Sequence, residues 1–309
     1  MSDPTHAVFH EVKELPNRNL QRLFDRLVGL DEVKERLTKE ARILLKPKLL
    51  EEWSRKHYSH RIALVDVFGE RPPLFIFAGD VGTGKTALAD SFGDRIARED
   101  EIDVTLFRLS LSARGSGAVG EMTRLISLAF KEVASAVSHK RSKGHHAGVF
   151  VIDEADALAQ SRELAQMHHE DRAGVNALIR GLDDLAANKL PVIVVLCTNR
   201  LDAIDPAVRR RAAETFEFRR PSEEQRADVL KASLHDTNLS SDQVRSLAAE
   251  TGPTDERPYG FTYSDLTQRL LPALLLDAFP NSPIEYQRAL SIAKRMEPTP
   301  PFRANTNHT

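Results

Sequence analysis

Apolar and polar positions follow three successive patterns along the chain. Over about the first sixty residues Leu20, Leu23, Phe24 and Leu27, then Val33, Leu37, Ile43 and Leu44, recur near helical spacing, with breaks at Gly29 and Pro47. From about Ile62 short, mostly apolar runs take over, at residues 74–78, 104–109, 149–152, 192–196 and 216–218. Helical patterns that start at Lys85 and Glu121 and span 173–185 lie between them. A strand apolar at every position is buried on both faces, so this alternation predicts an α/β fold with a five-stranded parallel sheet covered by helices on both sides. Past Pro221 the strand pattern stops. Ser222-Glu223-Glu224-Gln225 opens a helix with acidic residues in its first turn, and residues 240–250 and 264–279 predict two more. The expected division is therefore a helical segment over 1–60, an α/β domain over 61–220, a small all-helical domain over 221–296, and a flexible tail over 297–309 that lacks packing side chains. No internal repeat is present.

Composition narrows the function classes. The 309 residues carry 43 Lys and Arg against 45 Asp and Glu, a net charge of −2, and 41% are apolar. Such a chain builds one large or two modest domains with a true core, which excludes a disordered protein. Near-neutrality removes any global attraction to nucleic acid or an anionic membrane. Cys197 is the only cysteine, so neither an intramolecular disulfide nor a cysteine zinc site can form, as suits a reducing cytoplasm. Met1-Ser2-Asp3-Pro4 opens no secretory leader, and no apolar run approaches the roughly 18 residues of a membrane span. The expectation is a cytoplasmic protein.

The chemistry starts at Gly79-Asp80-Val81-Gly82-Thr83-Gly84-Lys85-Thr86, directly after an apolar strand and directly before a helical pattern. Glycines let such a loop wrap so that backbone N–H groups and the helix N-terminus face phosphate oxygens. Lys85 would reach the β and γ phosphates, and the Thr86 hydroxyl would ligate magnesium. A second feature supports the first: the run Val149-Phe150-Val151-Ile152 ends in Asp153-Glu154, at the strand end where ligands sit in open α/β sheets. Asp153 would hold magnesium, directly or through water, and Glu154 would polarise an attacking water. Asp153 as a helix cap is the alternative, but capping does not call for two adjacent acids after four apolar residues. The strand over 104–109 falls between the loop and this pair. Together these features suggest an ATPase with ATP and Mg²⁺ as cofactors, rather than a metabolite kinase or a small GTPase.

On these motifs the chain resembles the AAA+ ATPases from about Val28 to Ile292. Segment Val28-Gly29-Leu30-Asp31 is similar to the one that lays its backbone against adenine in that family. Asn199, in Cys197-Thr198-Asn199-Arg200, stands where the first sensor touches the γ phosphate or the water. The stretch over 201–211 resembles the second region of homology, and the resemblance makes Arg211, then Arg210, the arginine supplied to a neighbouring subunit's γ phosphate. A ring, as a homo-hexamer, follows from it. On composition alone, Arg209-Arg210-Arg211 also fits a solvated helix end or a nucleic-acid patch. Gly260-Phe261-Thr262-Tyr263-Ser264-Asp265 partly matches the motif of the small helical domain, with Tyr263 in place of the usual Gly, so Tyr263 and Ser264 join the expected nucleotide-binding residues. No arginine occupies the second-sensor position; Arg269 lies one turn on. A hinge near Arg219-Arg220-Pro221 would let nucleotide state rotate this lid.

A narrower resemblance concerns the partner. Gly120-Glu121-Met122-Thr123, residues 171–179 and Arg211-Ala212 are similar to the pachytene-checkpoint branch, whose members open HORMA-domain proteins. The short core is similar to its bacterial members in cyclic-oligonucleotide antiphage signalling. The implied function is an ATP-driven remodeller of a HORMA-domain protein, although residues 110–121 lack the aromatic that such rings use to grip a polypeptide and offer only Val119. Two other classes remain open: a nucleic-acid-associated ATPase of clamp-loader or transposition type, and a regulatory ATP switch. The missing basic tract argues against the first, and the Asp153-Glu154 pair against the second. The histidines over 139–146 and at 168–169 read as solvated loops rather than metal ligands. Trp53 and Tyr58 read as packing residues.

Overall fold

The structure, a computed structural model, describes residues 8–111, 120–142, 144–157, 168–255 and 257–302. Val119 and residues 303–309 lie outside them, as do the side chains of His168 and His169. The described chain forms two compact units. The first draws on residues 8–26, 32–78 and 86–217, the second on 27–31, 79–85 and 218–302.

The first unit begins with β1 (Glu11–Leu15), followed by α1 (Arg18–Arg26), α2 (Asp31–Leu45), α3 (Pro47–Tyr58) and α4 (Ala63–Gly69). Then strands and helices alternate: β2 (Leu74–Gly79), α5 (Lys85–Glu99), β3 (Asp103–Ser110), α6 (Glu121–Arg141), β4 (His146–Asp153), α7 (His168–Ala187), β5 (Val192–Thr198), the single turn α8 (Pro206–Arg209) and β6 (Glu214–Phe218). The sheet order is β1-β3-β4-β5-β2-β6. Pairs β3/β4, β4/β5 and β2/β5 are parallel, with Phe107 opposite Phe150, Val149 opposite Ile193 and Leu74 opposite Val194. Leu74, Phe75, Ile76 and Phe77 are all fully buried. Successive side chains point to opposite faces, so both faces of the sheet are covered.

Three expectations need correction. The first sixty residues are not wholly helical: β1 adds a sixth strand, antiparallel to β3, with Glu11 opposite Arg108 and Leu15 opposite Val104. Only Leu15 of this strand is buried. Pairing with the edge of β3, not an apolar pattern, makes it a strand, and such a strand is illegible from periodicity. Trp53 and Tyr58 are 43% and 49% exposed and meet edge to face at 5.6 Å instead of packing into the core. The third correction concerns the tail. The Thr299 N–H and hydroxyl donate to Asp265 Oδ2 and Oδ1 at 3.1 and 2.7 Å, so the described residues after Glu297 are anchored through polar contacts that an apolar pattern does not reveal.

The second unit is built from α9 (Glu223–Leu234), α10 (Ser241–Glu250), a wide helical turn over Asp265–Leu270, α11 (Leu271–Ala278) and α12 (Tyr286–Arg295). Ser222 and Ser240 each form a reciprocal capping box with the glutamine three residues on. Pro272 has no N–H to continue the helix, and the π turn precedes it. Leu230, Leu247, Phe261, Leu266, Leu270, Ala289 and Ala293 form the core. Among the described residues no helix is long and apolar enough to cross a membrane.

Two features of the first unit set measurable stability terms. At Gly181 of α7 a Cβ would lie 2.3 Å from the Phe130 ring of α6, which itself meets Phe150 edge to face at 5.2 Å. A helix-interior Gly→Ala otherwise gains about 1 kcal/mol, so the sign is diagnostic. Gly181→Ala is expected to destabilise by about 1–3 kcal/mol in denaturant titration, because overpacking outweighs propensity. Buried Asp90 of α5 lies 3.1 Å from Arg108 of β3, while its Oδ1 has no hydrogen-bond partner. Burial pushes its carboxyl from 3.8 up to about 6, against the opposing pull of Arg108. Between those values the native state keeps a proton that the unfolded chain has released, so stability falls as pH rises through that window, and above it the penalty is complete. Asp90→Asn is therefore expected to raise the melting temperature at about pH 8 and to lose that gain at about pH 4.

Candidate phosphate-binding site

The loop from Gly79 to Lys85 belongs to the second unit and leads into the N-terminus of α5, whose first-turn N–H groups lack helical acceptors. Gly82 takes φ +73, and a Cβ there would fall 2.8 Å from Ser264 Cβ and Thr262 Oγ1, so only glycine fits. Ser264 N donates to Gly82 O at 3.1 Å. The ammonium of buried Lys85 donates to the Gly79 and Asp80 carbonyls at 2.9 and 2.6 Å, and the Thr83 hydroxyl donates to Asp80 O at 2.7 Å. Val81 is exposed.

The same unit brings the expected adenine segment to the partial helical motif. Gln225 Nε2 donates to Gly29 O at 2.7 Å and the Tyr263 hydroxyl to the same oxygen at 3.4 Å, while Val28 packs against the helical core. Burial, reinforced by the Asp31 charge, pushes the Tyr263 phenol up to about 12. That hydroxyl stays protonated and remains a donor. Arg269 donates to Asp265 Oδ1 at 2.8 Å.

A separate acidic cluster lies within the first unit. Asp153 ends the wholly buried run of β4. Its Oδ1 accepts from Thr86 Oγ1 at 3.3 Å and from Glu154 N at 3.0 Å, and its Oδ2 accepts from Arg108 NH2 at 3.1 Å. Glu154 takes φ +55, a left-handed conformation that costs a non-glycine residue strain, and Glu154 Oε2 accepts from Ser110 Oγ at 3.0 Å. Asn199 is held at the end of β5 by its backbone N–H, which donates to Asp156 Oδ1 at 3.4 Å; the Thr198 hydroxyl donates to the same oxygen at 3.2 Å. Thr86, Asp153 and Glu154 are thus linked, and Asn199 sits on the turn that follows β5, held to Asp156.

Arg210 and Arg211 are not part of this cluster. Arg211 Nε donates to Asp183 Oδ1 and its NH1 to Ala207 O, both at 3.3 Å. Both arginines follow α8, whose first turn is capped by Asp205. Arg108, Ser110 and Asp156 are the residues that sequence reading missed. A signal for two of them existed: Arg108 and Ser110 are polar positions near the end of an otherwise apolar strand.

The Thr86 hydroxyl and Asp153 carboxylate supply hard oxygen donors next to one another, a set that suits a magnesium ion completing its shell with water and phosphate oxygens. Among the described residues no group of three or more His, Cys, Asp or Glu forms a separate metal site. His146, expected in a solvated loop, instead opens β4 and is buried, with its Nε2 2.9 Å from Thr105 Oγ1 in an internal hydrogen bond.

Comparison with known proteins identifies the chain's relatives. Residues 75–220 match the model of the ATPase family associated with various cellular activities (AAA). The chain is 50% identical over 298 residues to CD-NTase-associated protein 6 of Escherichia coli strain MS 115-1, covering 96% of both proteins. It resembles a chain in the structure of the E. coli MS115-1 HORMA:CdnC:Trip13 complex with 48% identity and a TM-score of 0.90, covering 98% of this chain and 100% of that one. The corresponding figures for the Rhizobiales Trip13 structure are 43% identity and a TM-score of 0.75, with 95% and 100% covered. The chain belongs to the AAA family of ATPases.

Proposed function

We propose that the protein is a Mg²⁺-dependent, ring-forming ATPase that uses ATP turnover to open or disassemble a HORMA-domain protein in bacterial cyclic-oligonucleotide antiphage signalling, in the cytoplasm. Family membership carries nucleotide binding and ATPase activity in general. The observation that carries the partner is the nearly end-to-end match to a chain of the HORMA:CdnC:Trip13 complex.

In this reading the loop amides of Asp80 to Lys85 and the α5 N-terminus receive the phosphates, and Lys85 exchanges its loop carbonyls for phosphate oxygens. Thr86 and Asp153 would hold magnesium, which would supply positive charge to offset that of the phosphates. Glu154 leaves Ser110 and accepts a hydrogen bond from the attacking water through its carboxylate, and Asn199 orients that water or the γ phosphate. Val28 and Gly29 lie along adenine, with Tyr263 and Ser264 beside them. Arg211, assisted by Arg210, serves the neighbouring subunit of a homo-hexamer.

Glu154→Gln is expected to lower ATP turnover at least about 100-fold while nucleotide binding persists. Arg211→Ala lowers it about 1,000-fold if the arginine acts on a neighbour, and mixing the two inactive variants then restores part of the activity, because some mixed interfaces carry an intact Glu154 and an intact Arg211. Additive loss in the mixture would exclude a shared site. With ATP, Glu154→Gln should retain a HORMA-domain protein in pull-downs, and failure to capture one overturns the partner assignment.

A further inference from the structure

Asp80 places a carboxylate inside a loop whose work is to receive a polyanion. An unpaired negative charge there would repel the phosphates that the surrounding N–H groups attract. The structure pairs it. Arg220 meets Asp80 Oδ2 through Nε at 2.7 Å and NH2 at 2.6 Å, with the two side chains only 15% and 18% exposed. Oδ1 accepts from Val81 N at 2.9 Å and from Phe302 N at 3.0 Å.

The same guanidinium reaches further. Its NH1 donates to Gly260 O and its NH2 to Thr299 O, each at 2.7 Å, and its Cζ lies 5.0 Å from the centroid of the Tyr259 ring. Thr299 in turn donates twice to the fully buried Asp265, which also accepts from Thr262 N and Oγ1 at 2.9 Å. One chain of hydrogen bonds therefore runs from the phosphate loop through Arg220 to the Gly260–Asp265 motif and the C-terminal segment. All of its members lie in the second unit.

We propose that Arg220 is a positioning residue for the phosphate loop, which neutralises and orients Asp80, and that Thr299 and Phe302 of the C-terminal segment complete the same brace. Asp80 then contributes its backbone to phosphate binding, and its side chain serves as the handle by which the loop is held. Arginine suits this task because its planar fork spans a carboxylate and two carbonyls at once, which a lysine cannot do. The inference rests on the reading that nucleotide binds at Gly79–Thr86.

The test separates the charge from the scaffold. Arg220→Ala leaves Asp80 uncompensated and should weaken mant-ADP binding and raise KM for ATP about tenfold, with kcat changed less than about threefold. Asp80→Asn in the Arg220→Ala background removes the stranded charge and should return both values to within about threefold of native. Arg220→Lys keeps the charge and should fall between native and Ala. Phe302→Pro deletes the backbone donor to Asp80, together with a half-exposed ring, and should raise KM about two- to threefold. Melting curves on every variant establish that the folded protein is being compared. A KM for Arg220→Ala within about twofold of native, or a double variant as impaired as Arg220→Ala alone, overturns the proposal. An unchanged KM in Phe302→Pro removes Phe302 from the brace. Lys85→Ala serves as the control: if it leaves mant-ADP binding intact, the nucleotide reading itself fails, independently of Arg220.

Discussion

The Asp153 carboxylate accepts from the Thr86 hydroxyl, the Glu154 amide and the Arg108 guanidinium at the end of a strand with no exposed apolar position, and the order of this end of the first unit depends on that convergence. A carboxylate at such a depth persists only when donors and a cation surround it. Here the donors come from α5, β3 and the chain just past β4. None of them can move without disturbing the others. The strained φ of Glu154 belongs to the same arrangement: the ordered turn after Asp153 holds a backbone conformation that an isolated peptide would avoid.

The second unit solves a different problem. A loop with positive-φ glycines at 79, 82 and 84 gains conformational freedom at the cost of order. Order is returned from outside the loop by contacts that ordinary glycine-rich turns lack. Ser264 N holds Gly82 O, and the Asp80 side chain is held by Arg220 and Phe302. Buried Asp265, itself satisfied by Thr262, Arg269 and Thr299, keeps the helical motif and the C-terminal segment in register with one another. The polar contacts that anchor residues 299–302 thus also support the loop.

Much of the molecule was legible because its strands are buried on both faces. The runs ending at Ala78, Leu109, Ile152 and Leu196 admit no exposed position, and the glycine spacing before Lys85-Thr86 is as restrictive as the Asp153-Glu154 pair. β1 was not legible, since its single buried residue, Leu15, carries no periodic signal. The helix α12 was also faint, for its buried face is made of Ala289 and Ala293, too small to stand out from a polar background.

The sequence by itself determined the alternating parallel sheet, the glycine-rich turn before Lys85-Thr86, the acidic strand end and the helical character of the C-terminal region, because each rests on local periodicity or on a compact motif. Only the tertiary structure decided that Arg108 and Ser110 attend the acidic pair, that a strand joins the sheet edge at Glu11–Leu15, and that Arg220, Thr299 and Phe302 brace Asp80. Those contacts join residues far apart in the chain, up to 222 positions for Phe302 and Asp80. Hydrogen bonds between distant polar groups leave no periodic trace, since each partner alone looks like any other surface residue until the fold brings the two together.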